Sequence, residues 1–396
     1  MRYQREQIGE YVSLRQGFAI NKKTKHHMSD EPTELHLLRI GDMKDGNFSI
    51  FVKDTIPEKF IAKGNDIIYT RTGQIGLVFR HQNGVVHNNC FTVTTNDDHV
   101  LSQQFLYYAL QEKNFYEEAN SRATGAAQPD LPHGAFNSIK IYIPPYEVQL
   151  RITTILDTYN NLIENNQKQI KLLEEAAQRL YKEWFVDLCF PGHENVKIVD
   201  GVPQGWGYRL VSDFGDVITG KTPSTVKKEY YDGNIPFITI PDMHGNVFPI
   251  TTQKYLTKVG ADTQTNKYLP KNTVIVSCIA TVGLVNIAIE ECQTNQQINS
   301  VILYDEKDLY FFYESMKRIK ALLDGVGSNG ATMTNVNKIK FSNIKVLYPT
   351  ENLVSEFYDF CKPIFEKILS LSKIIISAEQ ARDRLLPKLM SGEIEV

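Results

Sequence analysis

Long apolar runs are missing from this sequence. Nowhere do about 18 consecutive apolar residues occur, and the opening MRYQREQIGEYV has no apolar centre, so neither a membrane span nor an export signal is expected. Cysteine is sparse, with five residues (Cys90, Cys189, Cys278, Cys292, Cys361) and no C-x-x-C spacing. An odd, unpatterned set argues against a disulfide frame or a zinc site and points to free thiols in a reducing cytoplasm. The nine histidines do not gather with cysteines or carboxylates at metal-ligand spacings; His26 and His27 are neighbours in a basic loop. Net charge is also nearly absent. The 43 Lys and Arg against 46 Asp and Glu leave −3, so the chain as a whole does not attract nucleic acid or an acidic membrane. Any polyanion binding must rest on local basic patches.

Catalytic patterns are scarce. No Ser/His/Asp elbow and no carboxylate pair in a nuclease or glycosidase layout can be read from the chain. Gly215-Asp-Val-Ile-Thr-Gly220-Lys221-Thr222 matches G-x-x-x-x-G-K-[ST] letter for letter. A phosphate loop, however, needs a helix starting at the Lys-Thr so that its amides face the phosphates. Pro223 and STVKKEYYDG follow instead, and an ATP site is not expected. Ile143-Pro144-Pro145-Tyr146 is similar to the Asn/Asp-Pro-Pro-Tyr loop of amino-methyltransferases, but Ile143 cannot accept an amine's hydrogens. No Gly-rich loop after a first strand offers a place for a methyl donor. The chain is therefore expected to bind no cofactor of its own.

What the sequence has in abundance is repetition. From Gln149 to Phe185, residues Leu156, Tyr159, Ile163, Asn166, Ile170, Leu173, Ala177, Leu180 and Trp184 alternate spacings of three and four. That is the seam of a coiled coil. A helix of these residues would be about 55 Å long and could not bury its seam alone. Cys361, Ile364, Ile368, Leu371, Ile375, Ala378, Arg382, Leu385 and Leu389 repeat the rhythm, each 205 residues after its counterpart. The repeat extends upstream: Gly17 aligns with Gly220, Asp42-Met43 with Asp242-Met243, Gly76 with Gly283, and Asn88-Asn89 with Asn295-Gln296. Gly125-Ala126 aligns with Gly330-Ala331, and Pro144 with Pro349. A period near 200 residues is a duplicated domain, not a solenoid. Each copy reads as a mixed α/β globular part followed by one long helix. Strands are expected at 66–69, 91–94, 273–276 and 300–304, and amphipathic helices at 101–118 and 309–323.

Polar and basic loops are the remaining candidates for function. The first copy offers Lys22, Lys23, Lys25, Arg71, Gln74 and Arg80; the second offers Lys221, Thr222, Ser224, Lys227 and Lys228. Lys and Arg on loops neutralise phosphates, while Arg, Asn and Gln can pair with base edges. Residues kept in both copies (Asn88/Asn295, Gly76/Gly283, Asp42/Asp242) are read as framework.

The duplication, TGKTPS (219–224), TNQQIN (294–299), GAAQPDL (125–131), IPPYEVQ (143–149), LYKEWFVD (180–187) and RDRLLPKLMSGEIEV (382–396) together resemble the specificity subunit of type I restriction–modification systems. The resemblance covers essentially the whole chain. It implies a mixed α+β fold with two target recognition domains, separated by two long helices that pair as an antiparallel coiled coil about a pseudo-twofold axis. The expected domains are 1–147, the central helix 148–186, a linker 187–207, 208–352, and the C-terminal helix 353–396. The first copy has Arg15-Gln16-Gly17-Phe18 where the pattern has a TG-x-TP turn, and Gly325–Met333 lacks the Gln-Pro of its counterpart; both differences suggest two different half-sites. In such systems the subunit is not an enzyme. It binds double-stranded DNA and recruits two methylation subunits that use S-adenosylmethionine; restriction subunits using ATP and magnesium can join. Docking and seam residues would be Ile163, Asn166, Ile170, Leu173, Leu180, Trp184, Phe185, Ile368, Leu371, Ile375, Arg382 and Leu385, with Asn166 fixing register. The other reading is a coiled-coil scaffold joining two protein-binding domains without nucleic acid.

Overall fold

A computed structural model of the chain describes residues 3–319 and 335–396. The expected features within 320–334, including Gly330-Ala331 and Gly325–Met333, lie outside the described residues. The chain divides into two compact units, one of residues 1–162 with 378–396 and one of residues 163–377. Both long helices run through the division.

In the first unit four antiparallel strands lie in the order Val12–Gln16, Cys90–Thr95, Ile67–Thr70 and Val78–Phe79. In the second unit the same order recurs as Gly215–Thr219, Ile298–Leu303, Val274–Ser277 and Val285–Ile287. Runs such as IIYT and VIVS are buried on both faces, which is why they are continuously apolar rather than alternating. A second sheet in each unit contains one parallel pairing, Leu37 beside Val85 and Phe237 beside Gln293. A two-stranded ladder joins Arg5–Gln7 to Lys140–Tyr142, and its counterpart joins Gly207–Leu210 to Lys345–Tyr348.

The duplication extends to individual hydrogen bonds. The Thr70 hydroxyl donates to the Gln74 carbonyl at 2.6 Å and accepts from Leu77 N–H at 2.9 Å. Ser277 does the same with Thr281 and Leu284, at 2.5 and 2.8 Å. Gly76 and Gly283 sit in these turns at φ +95° and +96°, where a side chain would be strained. A Cβ on Gly17 would lie 2.2 Å from the His87 carbonyl oxygen, and one on Gly220 would lie 2.2 Å from that of Asn295. Asn295 is therefore opposite His87 in space, one residue from the Asn88 that the sequence alignment pairs with it.

Two expectations about helices need correction. Residues 101–118 form two helices, Gln103–Ala109 and Lys113–Ser121, with Leu110 and Phe115 both in the core. The chain breaks at Gln111–Glu112, although the apolar rhythm continues across the break. The buried stripe on the long helices is also wider than a two-position seam. Ile152, Thr153, Asn160, Tyr181 and Phe185 are buried as fully as Leu156, Ile163 and Trp184, whereas Tyr159, Ile170, Leu173 and Leu180 are half-buried. The extra width is needed because each helix packs on a globular core as well as on the other helix.

The central helix spans Tyr146–Phe185, 40 residues, starting at the Pro144-Pro145 stop. The C-terminal helix spans Glu351–Ser391, 41 residues, and ends at Gly392 with φ +74°, the left-handed cap that glycine favours. In the first unit they run antiparallel: Arg151 reaches the Val396 carbonyl and Arg382 reaches Asn160. There Ile152 and Leu156 share a core with Leu386, Leu389 and Met390. In the second unit Trp184 and Phe185 pack on Phe357, and Trp184 also meets Phe360.

Glu314 is the outlier in the second core. It is 2 % exposed and its Oε1 has no hydrogen-bond partner. Burial, with the charge of Glu174 and against that of Lys317, pushes its carboxyl from 4.5 to about 7. The folded protein thus holds this proton more tightly than the unfolded chain does. Stability is greatest below about 4.5 and is lost as pH rises to about 7, by about 3 kcal/mol. Both tryptophans, Trp184 and Trp206, belong to this unit, so their fluorescence isolates its unfolding. In urea titrations at pH 5 and pH 8, Glu314→Gln should remove most of the difference between the two midpoints.

Candidate nucleic-acid interface

The basic loop of the first unit is a built display. Thr24 Oγ1 accepts from Asn21 N–H at 2.8 Å and donates to the Ala19 carbonyl at 2.7 Å, while Asn21 Oδ1 accepts from Lys23 N–H at 2.9 Å. These short-range bonds hold the turn so that Lys22, Lys23 and Lys25 stand exposed. None of the three forms an ion pair among the described residues. Lys53 adds a fourth positive charge, its Nζ donating to the His26 carbonyl at 3.1 Å; the sequence alone gave no reason to include it.

Arg71 and Arg80, also expected to meet DNA, are committed inward. The Arg71 side chain is 18 % exposed and grips Asp130 with two nitrogens, while Nη1 donates to Gln16 Oε1 at 2.8 Å. Thr72 donates to the same carboxylate at 2.5 Å, and His133 Nε2 lies 3.0 Å from Gln16 Oε1. Burial would raise the Asp130 pKa, but hydrogen bonds from Arg71 and Thr72 and the charges of Arg71 and His133 outweigh it and hold it below its ordinary value. Backbone bonds from Gly73 to Pro129 and from Leu131 to Arg71 complete the tie. The cluster therefore folds GAAQPDL back over the sheet edge. Arg80 is 15 % exposed, paired with Asp157 at 3.0 Å and stacked 4.3 Å from the Tyr107 ring centre; it anchors the globular part to the central helix. Gln74 is exposed beside Lys44, whose Nζ donates to it at 2.7 Å.

In the second unit Gly215–Thr219 is a strand, and the residues after Gly220 are extended and turn backbone leading to a short 3₁₀ turn at Lys228–Tyr230. Lys221 is exposed, held by its backbone: N–H to the Thr294 carbonyl at 2.9 Å, carbonyl from Gln264 Nε2 at 2.7 Å. Thr222 donates to the exposed Gln296 at 2.6 Å, tying TGKTPS to TNQQIN. Ser224, Lys227 and Lys228 are exposed, with Lys227 Nζ 3.0 Å from the Tyr230 hydroxyl. Gln264 and Gln293, buried and hydrogen-bonded at 2.7 Å, support this face from within. Sequence reading missed both, since nothing in their local spacing marks them.

Among the docking and seam candidates, Ile163, Asn166, Trp184, Phe185, Ile368 and Leu371 are buried in this chain, and Ile170, Leu173, Leu180, Ile375, Arg382 and Leu385 are half-buried. Trp184 and Phe185 are thus core, not a docking surface. Apolar side chains exposed on the helices are Leu162, Leu172, Phe360 and Ile374. Asn166 has a buried Nδ2 without a hydrogen-bond partner, so it does not make the polar pairing expected of a register residue.

The profile described as "Type I restriction modification DNA specificity domain" matches the chain twice, over residues 3–175 and 203–379. The chain belongs to that family. Each match takes in one globular part and most of the long helix that follows it. Among members, the type I restriction enzyme HindI specificity subunit of Haemophilus influenzae is 32 % identical, covering 85 % of this chain and 88 % of that one. The MjaIX specificity subunit of Methanocaldococcus jannaschii is 26 % identical, over 85 % and 79 %. Among solved structures, the type I restriction–modification S subunit from M. genitalium superposes with a TM-score of 0.61 at 16 % identity, over 98 % of this chain and 96 % of that one; that likeness is one of fold. No described helix is long and apolar enough to cross a membrane, and no described group of three His, Cys, Asp or Glu could hold a metal.

In this family member the Arg71–Asp130 pair has a measurable role. Asp130→Ala should raise amide exchange across residues 124–131 while leaving the strands protected. The cost in stability should be about 1 kcal/mol, since the pair is partly screened by solvent. Hydrogen-exchange mass spectrometry of the full chain reads both.

Proposed function

We propose that this chain is the sequence-specific DNA-binding subunit of a type I restriction–modification complex, each globular part reading one half of a split target. The observation that carries the reading is the double match to the DNA specificity domain, laid over two units that share a framework and differ in their exposed polar loops. Shared strands, turns and close-packed glycines supply the same platform twice. On it the first unit presents Lys22, Lys23, Lys25, Lys44, Lys53 and Gln74, and the second presents Lys221, Ser224, Lys227, Lys228 and Gln296. Lysines at the rim neutralise phosphates and glutamines can pair with base edges.

In this reading the chain performs no chemistry. Methylation subunits dock on the helices and bring S-adenosylmethionine; restriction subunits, where present, bring ATP and magnesium. The complex works in the cytoplasm, where the DNA is.

Because the net charge is −3, affinity must come from these local cations and should depend steeply on salt. The triple variant Lys22→Ala, Lys23→Ala, Lys25→Ala should lower the slope of log affinity against log salt by about 2 to 3. Both half-site sequences should be unchanged. A salt titration of the assembled complex with its cognate duplex tests this, and an unchanged slope removes the basic loop from the interface.

A further inference from the structure

A continuous chain of hydrogen bonds in the first unit links the globular part to both long helices. Arg80 Nη2 donates to Asp157 Oδ1 at 3.0 Å. The Tyr108 hydroxyl donates to the same oxygen at 2.5 Å and accepts from Asn160 Nδ2 at 2.8 Å. Asn160 Oδ1 in turn accepts from Arg382 Nη1 at 2.8 Å. Arg80 and Tyr108 belong to the globular part, Asp157 and Asn160 to the central helix, and Arg382 to the C-terminal helix. Tyr108 and Asn160 are buried, at 1 % and 8 % exposure, so a broken link would leave polar atoms with little water to replace it.

The links are directional as well as buried. Asn160 offers its oxygen to one helix and its nitrogen to the globular part, so neither neighbour can move without losing a partner. Apolar seams alone tolerate shifted pairings, and single polar contacts are what specify register. Sliding one helix by a single residue, about 1.5 Å, would part Arg382 from Asn160.

The second copy fills the same positions differently. At the repeat offsets, Arg80 corresponds to Ile287, Asp157 to Lys362, Asn160 to Phe365 and Arg382 to Ala177. Tyr108 and Glu314 are each the sixth residue after their helix N-caps, Ser102 and Asp308. Ile287, Phe365 and Ala177 are buried and apolar, and Lys362 is exposed. The polar chain is thus a property of the first unit alone.

We propose that Arg80, Asp157, Tyr108, Asn160 and Arg382 set the register in which the long helices pair, and thereby restrict the complex to one gap between its two half-sites. The inference rests on the reading of the chain as a subunit that binds a two-part target. These are positioning residues: none is asked to touch DNA.

The test uses the full chain coexpressed with its methylation partner in a host free of other adenine methylation, with the modified motif read by sequencing for N6-methyladenine. Two variants are compared with the unaltered protein. One is Asn160→Phe with Arg382→Ala, which introduces the residue types found at the second copy's positions; the other is Tyr108→Phe, which removes a single hydroxyl. Both should keep the half-site bases and admit gaps one base pair shorter or longer. In duplex binding by the assembled complex, discrimination against those gaps should fall about tenfold, the order expected for one lost hydrogen bond to a charged chain. A wild-type gap in folded variants overturns the inference even where stability has dropped. Should the double variant not fold, the gap read from Tyr108→Phe decides. An unaltered complex that modifies no two-part motif would instead overturn the functional reading itself.

Discussion

The apolar stripe of a 40-residue helix is the constraint on which the structure depends. Exposed to water, it would cost more than helix propensity could return. The chain covers it twice, by pairing the two long helices and by laying each against a globular core. Ile152 and Leu156 are continuous with Phe105, Tyr108 and Phe136 in one cluster; Ala177, Tyr181 and Phe185 are continuous with Phe311, Phe357 and Phe365 in another. The helices are therefore parts of the cores they join. That is why the buried stripe is broad, and why a change at the helix surface is felt in the recognition part.

How much of this could be read in the sequence follows from the range of each interaction. Heptad spacing and the strand runs are local, and both appear where the pattern puts them, within a residue or two. The duplication was legible because steric and backbone needs recur at fixed offsets: Gly17 and Gly220 each touch a carbonyl oxygen, and Thr70 and Ser277 each close the same turn. The break at Gln111–Glu112 was not legible, because the apolar rhythm passes through it. The roles of Arg71 and Arg80 were not legible either. Their carboxylate partners, Asp130 and Asp157, lie 59 and 77 residues away, and no local spacing distinguishes an arginine that will be captured from one that stays free.

That capture divides the basic residues by task. A guanidinium can meet a carboxylate with two parallel hydrogen bonds and stack on a ring, as Arg71 and Arg80 do, and so it is suited to holding a loop or a helix in place. An ammonium is strongly hydrated and carries one mobile charge. The lysines of the Asn21–Thr24 turn keep that charge at the surface, where a phosphate can replace water at little cost in reorganisation. The side chains most often credited with reading DNA are here the ones that shape the platform.

The two copies also show what duplication does to buried polar groups. Tyr108 sits among Asp157 and Asn160, and every link of its chain is satisfied. At the equivalent helix position Glu314 has Phe365 and Lys362 where those partners would be, and its Oε1 is left without a hydrogen bond. A buried carboxyl in that state is more stable neutral than charged, which accounts for a pKa raised to about 7. The scaffold tolerates the difference because strands, turns and glycine contacts carry the fold in both copies. The helix–domain junction has been free to become directional in one unit and apolar in the other. A specificity protein gains from that freedom: two half-sites need the same platform, but only one junction has to fix how the helices register.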